Sequence, residues 1–167
     1  AVVNISEVVD TALTSISISF VASTAIMLLS FLMVVVATYK SNTFQKSLIF
    51  LASCGYAFPG TILAVGVVVF VGWLNDIFYF HMSYFIGGFL VLIFAYTLRF
   101  LAIGNGSIRS GVTRINPNLI DASRTMGRSF LTTMKKVILP LTYTNILVGG
   151  ILVFVDILKE LPITLLL

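Results

Sequence analysis

Charge is what this chain has least of. Only 10% of its 167 residues are charged and 59% are hydrophobic, whereas a soluble domain carries roughly 25% charged residues. With a mean hydropathy of +1.10, the composition excludes a water-soluble globular domain. Cysteine is nearly absent: Cys54 stands alone inside an apolar stretch, which rules out an internal disulfide and leaves it as a small core residue. The one histidine, His81, has no cysteine or second histidine near it and makes a poor metal site. No G-x-x-x-x-G-K-S/T run occurs, so the chain has no phosphate-cradling loop of its own. Residues 1–13 lack a basic start and a small-residue cleavage site ahead of a short apolar core. They read as a mildly acidic lead-in rather than a signal peptide.

What the chain does have is long apolar runs. Four are long enough to cross a bilayer, near Ser15–Ala37, Leu48–Trp73, Tyr84–Ile103 and Val137–Leu158; each crossing needs about 20 residues. The expected fold is all-α, a polytopic membrane helix bundle forming a single domain over residues 1–167. The chain starts at Ala1 without Met and stops at an apolar Leu167, and so reads as a piece of a longer protein. Net charge is +4, but its distribution says more. Lys40 and Lys46 lie between spans one and two. Arg99, Arg109, Arg114, Arg124, Arg128, Lys135 and Lys136 lie at the end of span three and in the loop beyond. That places nine of the ten basic residues on one side, with Glu7, Asp10 and Asp76 on the other. The positive-inside rule directs both basic loops to the cytoplasm and both ends of the chain outward. A basic loop could also meet nucleic acid or anionic lipid. Orientation in a membrane already accounts for the charges, so lipid is an expected partner and nucleic acid is not.

Each span carries a local signal. Span one is rich in small hydroxylic residues (Ser15, Ser17, Ser19, Ser23, Thr24), which suit close helix packing. The short polar loop Tyr39–Lys46 makes spans one and two antiparallel neighbours. In span two, Gly55, Pro59, Gly60 and Gly66 punctuate one helix, and Pro59-Gly60 predicts a kink or broken turn near its middle. Such backbone is tolerated at membrane depth only when buried in protein or facing a water-filled cavity, so a gate and a close-packing site both remain open there. The loop Asn75–Ser83 and its surroundings hold Asp76, His81 and the aromatics Phe78, Tyr79, Phe80 and Tyr84, an interfacial belt. Span three has Gly87-Gly88 for close packing and ends at Arg99, expected to snorkel or anchor at the cytoplasmic boundary. Span four contains Asn145, Gly149-Gly150 and Asp156. Asp156, Lys159 and Glu160 fall at i, i+3 and i+4, where a helix brings them onto one face. They are read either as a self-neutralising cluster at the outer edge or as a substrate gate.

Between spans three and four lies the most distinctive stretch, NPNLIDASRTMGRSFLTTMKKVILP, residues 116–140. Asn116 can cap a helix whose first turn holds Pro117. Gly127 can stop it in the left-handed conformation, and a second helix can restart at Ser129. Ile115, Leu119, Ile120, Ala122 and Met126 would form an apolar face, with Asp121, Arg124 and Arg128 in water. A helix–glycine–helix element of this kind is shaped to dock into another protein.

Asp121-Ala122-Ser123, Gly127 and Val137-x-Leu139-Pro140 resemble the EAA motif of ABC-importer permeases: Glu-Ala-Ala, three residues, Gly, nine residues, Ile-x-Leu-Pro. Ala122, Gly127, Leu139 and Pro140 match outright. Asp121, Ser123 and Val137 replace Glu, Ala and Ile. The ending KELPITLLL also looks like a segment of ferric-iron importer permeases. The resemblance extends from span one to Leu167, although only residues 121–140 form a specific motif. It implies the type I permease fold and a multi-pass subunit of the bacterial inner membrane. Two such bundles, as a second permease half or subunit, would form the pathway. An ABC ATPase dimer would receive the coupling loop, residues 116–136, and a periplasmic substrate-binding protein would deliver substrate, ferric iron being expected. Asp121, Ala122, Ser123, Gly127, Leu139 and Pro140 would couple to the ATPase. Pro59, Gly60, Asn145, Asp156, Lys159 and Glu160 are candidates for the pathway or gate. The chain is then not an enzyme, holds no cofactor or metal, and relies on its partner for ATP hydrolysis. Thiamine and polyamine permeases share the architecture. An ion-coupled carrier or channel is the other transport reading, and of its expected features only the Pro59-Gly60 break is present. A membrane-embedded hydrolase would need a nucleophile and base or a metal cluster within the bilayer, and the spans hold no paired carboxylates.

Overall fold

Proline and glycine fix most of the element boundaries. The computed structural model describes residues 5–39, 43–78, 88–160 and 163, and the described residues contain helices and no strand. The order is α1 (Ile5–Tyr39), α2 (Thr43–Cys54), a 3-10 turn (Gly55–Ala57), α3 (Gly60–Phe78), α4 (Phe89–Val112), α5 (Pro117–Thr125), α6 (Phe130–Thr133), a π-helical stretch (Met134–Ile138) and α7 (Leu139–Leu158). Four stretches are long and apolar enough to cross a membrane: Val8–Thr38, Gly60–Ile77, Phe89–Val112 and Phe130–Leu158. The all-α membrane bundle read from the sequence is the fold adopted.

The span boundaries differ from expectation, each for a local reason. The lead-in is helical from Ile5 and continues into span one, giving a 35-residue helix, about 52 Å long at 1.5 Å per residue. Its hydroxyls turn back on their own backbone: Ser19 Oγ donates to the Ser15 carbonyl at 2.8 Å and Thr24 Oγ1 to that of Phe20 at 2.8 Å. Span two is not one helix over Leu48–Trp73. α2 already begins at Thr43, inside the expected loop, and ends at Cys54. A 3-10 turn follows, and Phe58 is extended (φ −85°, ψ 139°), the conformation a following proline imposes. α3 then starts afresh at Gly60. The predicted weak point is thus a full break.

Span three runs nine residues past Ile103, to Val112. Gly104, Asn105 and Ser107 depress the hydropathy there, yet they are helix-contact residues; Gly104 lies directly against Ser30 Oγ of α1. Span four starts at Phe130 rather than Val137, and Pro140 does not end the loop. Proline cannot donate its backbone N–H, and the preceding turns widen to π geometry, with Leu139 N–H bonding the Met134 carbonyl. The helix therefore passes through Pro140 intact. Lys40, Tyr79, Phe80, His81, Tyr84 and Gly87 lie outside the described residues, as does most of the expected aromatic belt.

α1, α4 and α7 make the central packing, with α2 and α3 laid on α4. Ala22, Ile26 and Val35 of α1 meet Ala95, Tyr96 and Ile108 of α4 and Val153 and Ile157 of α7 in one buried cluster. Lipid tails give helices no hydrophobic reason to associate, so close van der Waals fit must do so. Small residues supply that fit. A Cβ on Gly149 would lie 2.6 Å from Ser107 Oγ, and one on Gly111 would lie 2.8 Å from Asn145 Cγ. Leu29, Leu32, Val69, Trp73, Val148 and Leu152 point outward, as side chains facing lipid do.

Candidate functional site

Two assemblies of polar residues stand out, one at each end of the helix that runs from Phe130 to Leu158. The first is the α5–α6 element. Asn116 caps α5 as its sequence predicts, its Oδ1 accepting from Asn118 N–H at 3.0 Å. Gly127 takes φ 69°, and Arg128 N–H reaches back to the Ser123 carbonyl at 3.2 Å. That six-to-one bond across a left-handed glycine is a Schellman stop. Ser129 then caps α6, its side chain accepting from Thr132 N–H.

The apolar face expected on α5 divides in two. Ile115 is buried and Ile120 packs against the core, while Leu119, Ala122 and Met126 are exposed. These three recur at i, i+3 and i+7 and so share one side of the helix. Asp121 is exposed beside them. Ser123 faces the opposite way, 7% exposed, and its hydroxyl meets Thr133 Oγ1 at 2.7 Å in a buried hydrogen bond. Thr133 is fully buried. Among the expected coupling residues, Asp121 and Ala122 thus face solvent, Ser123 joins α5 to α6, and Gly127 turns the chain. Leu139 and Pro140 fall on α7, beyond the π-helical stretch.

The second assembly was only partly foreseen. Arg99 was expected at the basic boundary. Because α4 extends to Val112, Arg99 instead sits ten residues after Phe89 and thirteen before Val112, near mid-helix. Glu160 was expected to share a helical face with Asp156 and Lys159. α7 ends at Leu158, and the Glu160 carboxylate turns to Arg99 instead, Oε2 accepting from Nε at 3.1 Å. Glu160 thus pairs with an arginine on another helix, outside the Asp156–Lys159–Glu160 group. A terminal guanidinium nitrogen of Arg99 also donates to the Phe58 carbonyl at 2.6 Å, the group left without a helical acceptor role at the span-two break. Gly60 completes the arrangement: a Cβ there would collide with Glu160 Oε1. Pro59, Gly60 and Glu160 therefore do come together, around an arginine 61 residues away from the glutamate in sequence.

Asn145 belongs to neither assembly. Its Nδ2 donates to Ser110 Oγ at 3.0 Å, and its backbone carbonyl accepts from Ser107 Oγ at 2.7 Å. With Gly111 opposite, it clamps α4 to α7. Ser107, Ser110 and Thr133 were not singled out from sequence; small hydroxylic residues at helix spacing were the available signal. Among the described residues no group of three His, Cys, Asp or Glu is placed to hold a metal ion.

Four stretches long and apolar enough to cross a membrane, with a helix break just ahead of the second and a polar connector carrying a short capped helix before the fourth, define a multi-pass membrane protein. The chain belongs to the family of binding-protein-dependent transport system inner membrane components, whose model matches residues 3–167. It is also similar to the Fe(3+)-transport system permease protein FbpB 2 of Haemophilus influenzae, at 26% identity over 113 residues. That alignment covers 67% of this chain and 21% of the relative, so the chain spans about a fifth of that relative's length.

Proposed function

We propose that this chain is membrane-spanning core of an ATP-driven importer, oriented with its basic connectors in the cytoplasm of a bacterial inner membrane. The observation that carries the reading is the α5 element: an exposed Leu119–Ala122–Met126 stripe on a short helix whose other side is pinned by Ser123 to Thr133. Such an element has a face to offer a partner and a stiff connection to pass on its movement. The partner is a dimeric ABC ATPase, with Asp121 contributing a charge contact at the rim of the stripe. ATP is bound and hydrolysed there, and this chain holds no cofactor. Closure of the ATPases would displace α5. The Ser123–Thr133 bond and the Schellman turn carry that displacement into α6, and the helix continues without interruption to Leu158. Motion at the cytoplasmic end thus reaches the neighbourhood of Glu160 and the span-two break.

A soluble binding protein on the far side would deliver substrate, and a second permease half would complete the pathway. An apolar groove of about 510 Å³ between α1 and α7, floored by Met27 and Gly150, offers surface for that half. Ferric iron is the substrate we favour, on the strength of the relative's name and the KELPITLLL resemblance. Thiamine and polyamines are the alternatives. A gradient-driven carrier is the remaining reading, supported by the broken second span. The test is co-purification of the assembled permease with its candidate ATPase, comparing wild type with Asp121→Lys and Gly127→Pro. Retention by wild type and loss by both variants supports the coupling role. Equal retention by all three overturns it, and no retention by wild type favours the carrier.

A further inference from the structure

The pair at the far end of the bundle does something a packing contact need not do. Arg99 on α4 binds simultaneously a carboxylate just beyond α7 and a backbone carbonyl at the break between α2 and α3. Three separately anchored pieces of chain meet on one guanidinium. Two of them lie outside the regular helices: Phe58–Pro59, exposed between the 3-10 turn and α3, and Glu160, just past the end of α7. Beyond Pro59, α3 packs chiefly on α4, burying Ala64, Val67 and Val71 on one stripe while Val65, Val69 and Trp73 face outward. α3 is an arm held on one side, and Arg99 grips the root of that arm. The side chains of Arg99 and Glu160 are 17% and 11% exposed, so the pair is largely withdrawn from solvent without being sealed.

We infer that Arg99 and Glu160 form a latch that closes the span-two hinge in the state seen here and opens during transport. An apolar pair of similar volume would hold three helices at least as well, because desolvating two charges offsets most of their attraction. What an ion pair adds is directionality and the ability to part cleanly when its geometry changes. Glu160 lies just past the end of the helix that begins at α6, so displacement of α5 passed along that helix would reach this contact. Gly60 supports the latch by leaving room for the carboxylate. Arg99 and Glu160 are accordingly positioning residues for the transport step. The inference rests on the importer reading for its driving force.

The test is a reversible tether. In the assembled transporter with Cys54→Ser, Arg99→Cys and Glu160→Cys would be joined by a short thiol-cleavable bis-methanethiosulfonate. Untethered, this variant has no latch, and substrate-independent ATP hydrolysis is expected to rise at least threefold while uptake continues. Tethered, uptake is expected to fall below a tenth, returning on reduction. Undiminished uptake at full tethering overturns the latch. Because cysteine replacement could impair assembly, Arg99→Lys and Glu160→Gln provide a second arm. Each keeps a hydrogen-bonding shape and weakens the pair, and each should raise substrate-independent hydrolysis at least threefold at unchanged assembly. Unchanged hydrolysis in both contradicts the proposal. If wild type takes up substrate without ATP, the importer reading fails, and the tether still tests the latch by uptake alone.

Discussion

Ser123 and Thr133 share a buried hydrogen bond of 2.7 Å across the turn that separates α5 from α6. It ties the helix that carries the exposed docking stripe to the long helix behind it, and the proposed importer mechanism depends on it. Removing the Thr133 hydroxyl leaves Ser123 without this bond in a buried place, at a cost of about 1–3 kcal/mol; removing that of Ser123 costs less, because Thr133 Oγ1 still donates to the Ser129 carbonyl at 3.2 Å. Ser123→Ala and Thr133→Val are each expected to lower substrate-stimulated ATP hydrolysis several-fold in the assembled transporter. The double variant should do little worse than either single one, because both act on the same bond. A fully additive loss would mean that the two hydroxyls work separately.

Gly127 should tolerate substitution in space but not in conformation. No atom lies within 4 Å of a Cβ built on it, yet φ is +69°. The penalty for an L side chain in that region is about 1–2 kcal/mol. Gly127→Ala is expected to lower the melting midpoint of the detergent-solubilised protein and to weaken ATPase retention. Gly127→Asn should do so less, since asparagine visits the left-handed region more readily. Equal effects of the two would point away from backbone strain.

Gly60 and Gly66 provide a paired comparison on α3. A Cβ at Gly60 collides with the Glu160 carboxylate, whereas nothing lies within 4 Å of one at Gly66. Gly60→Ala is expected to destabilise by breaking the Arg99–Glu160 geometry. Losing one side of a buried pair costs about 3–5 kcal/mol, and partial exposure here places the effect at the low end or below. Gly66→Ala should be neutral or slightly stabilising. Thermal unfolding of the two variants decides it.

Asn105 makes a prediction of opposite sign. Its side-chain nitrogen and oxygen are both buried and make no hydrogen bond among the described residues, and Ser30 Oγ is in the same position. Replacing an unsatisfied buried amide with an apolar group of similar size removes a desolvation penalty. Asn105→Leu is expected to raise the melting midpoint. A fall would show that Asn105 gains a partner in the assembled transporter.

Much of this was legible in the sequence where the determinants are local. The Asn116 cap, the Gly127 stop, the Ser129 restart and the break at Pro59 each follow from one or two residues and their backbone preferences. The end of α4 was missed because Gly104, Asn105 and Ser107 look like a loop by hydropathy. They are small and polar so that α1 and α7 can approach. That error moved Arg99 to a membrane boundary, and with Arg99 there the contact to Glu160 could not be seen. The inward turn of Glu160 depends on where α7 ends and on the space at Gly60. Neither is a property of neighbouring residues. The π-helical accommodation of Pro140 was hidden for a related reason, since a proline alone predicts an interruption and only the surrounding helix shows that it is absorbed.

An ATPase is proposed to dock on the Leu119–Ala122–Met126 side of α5. Photo-crosslinking from single positions in the assembled transporter tests this most directly. A photoreactive residue replacing Leu119 or Met126 is predicted to give an ATPase adduct, while one replacing the exposed Asp76 on the opposite side gives none. Adducts absent from both α5 positions, or equally strong from Asp76, would contradict the claim.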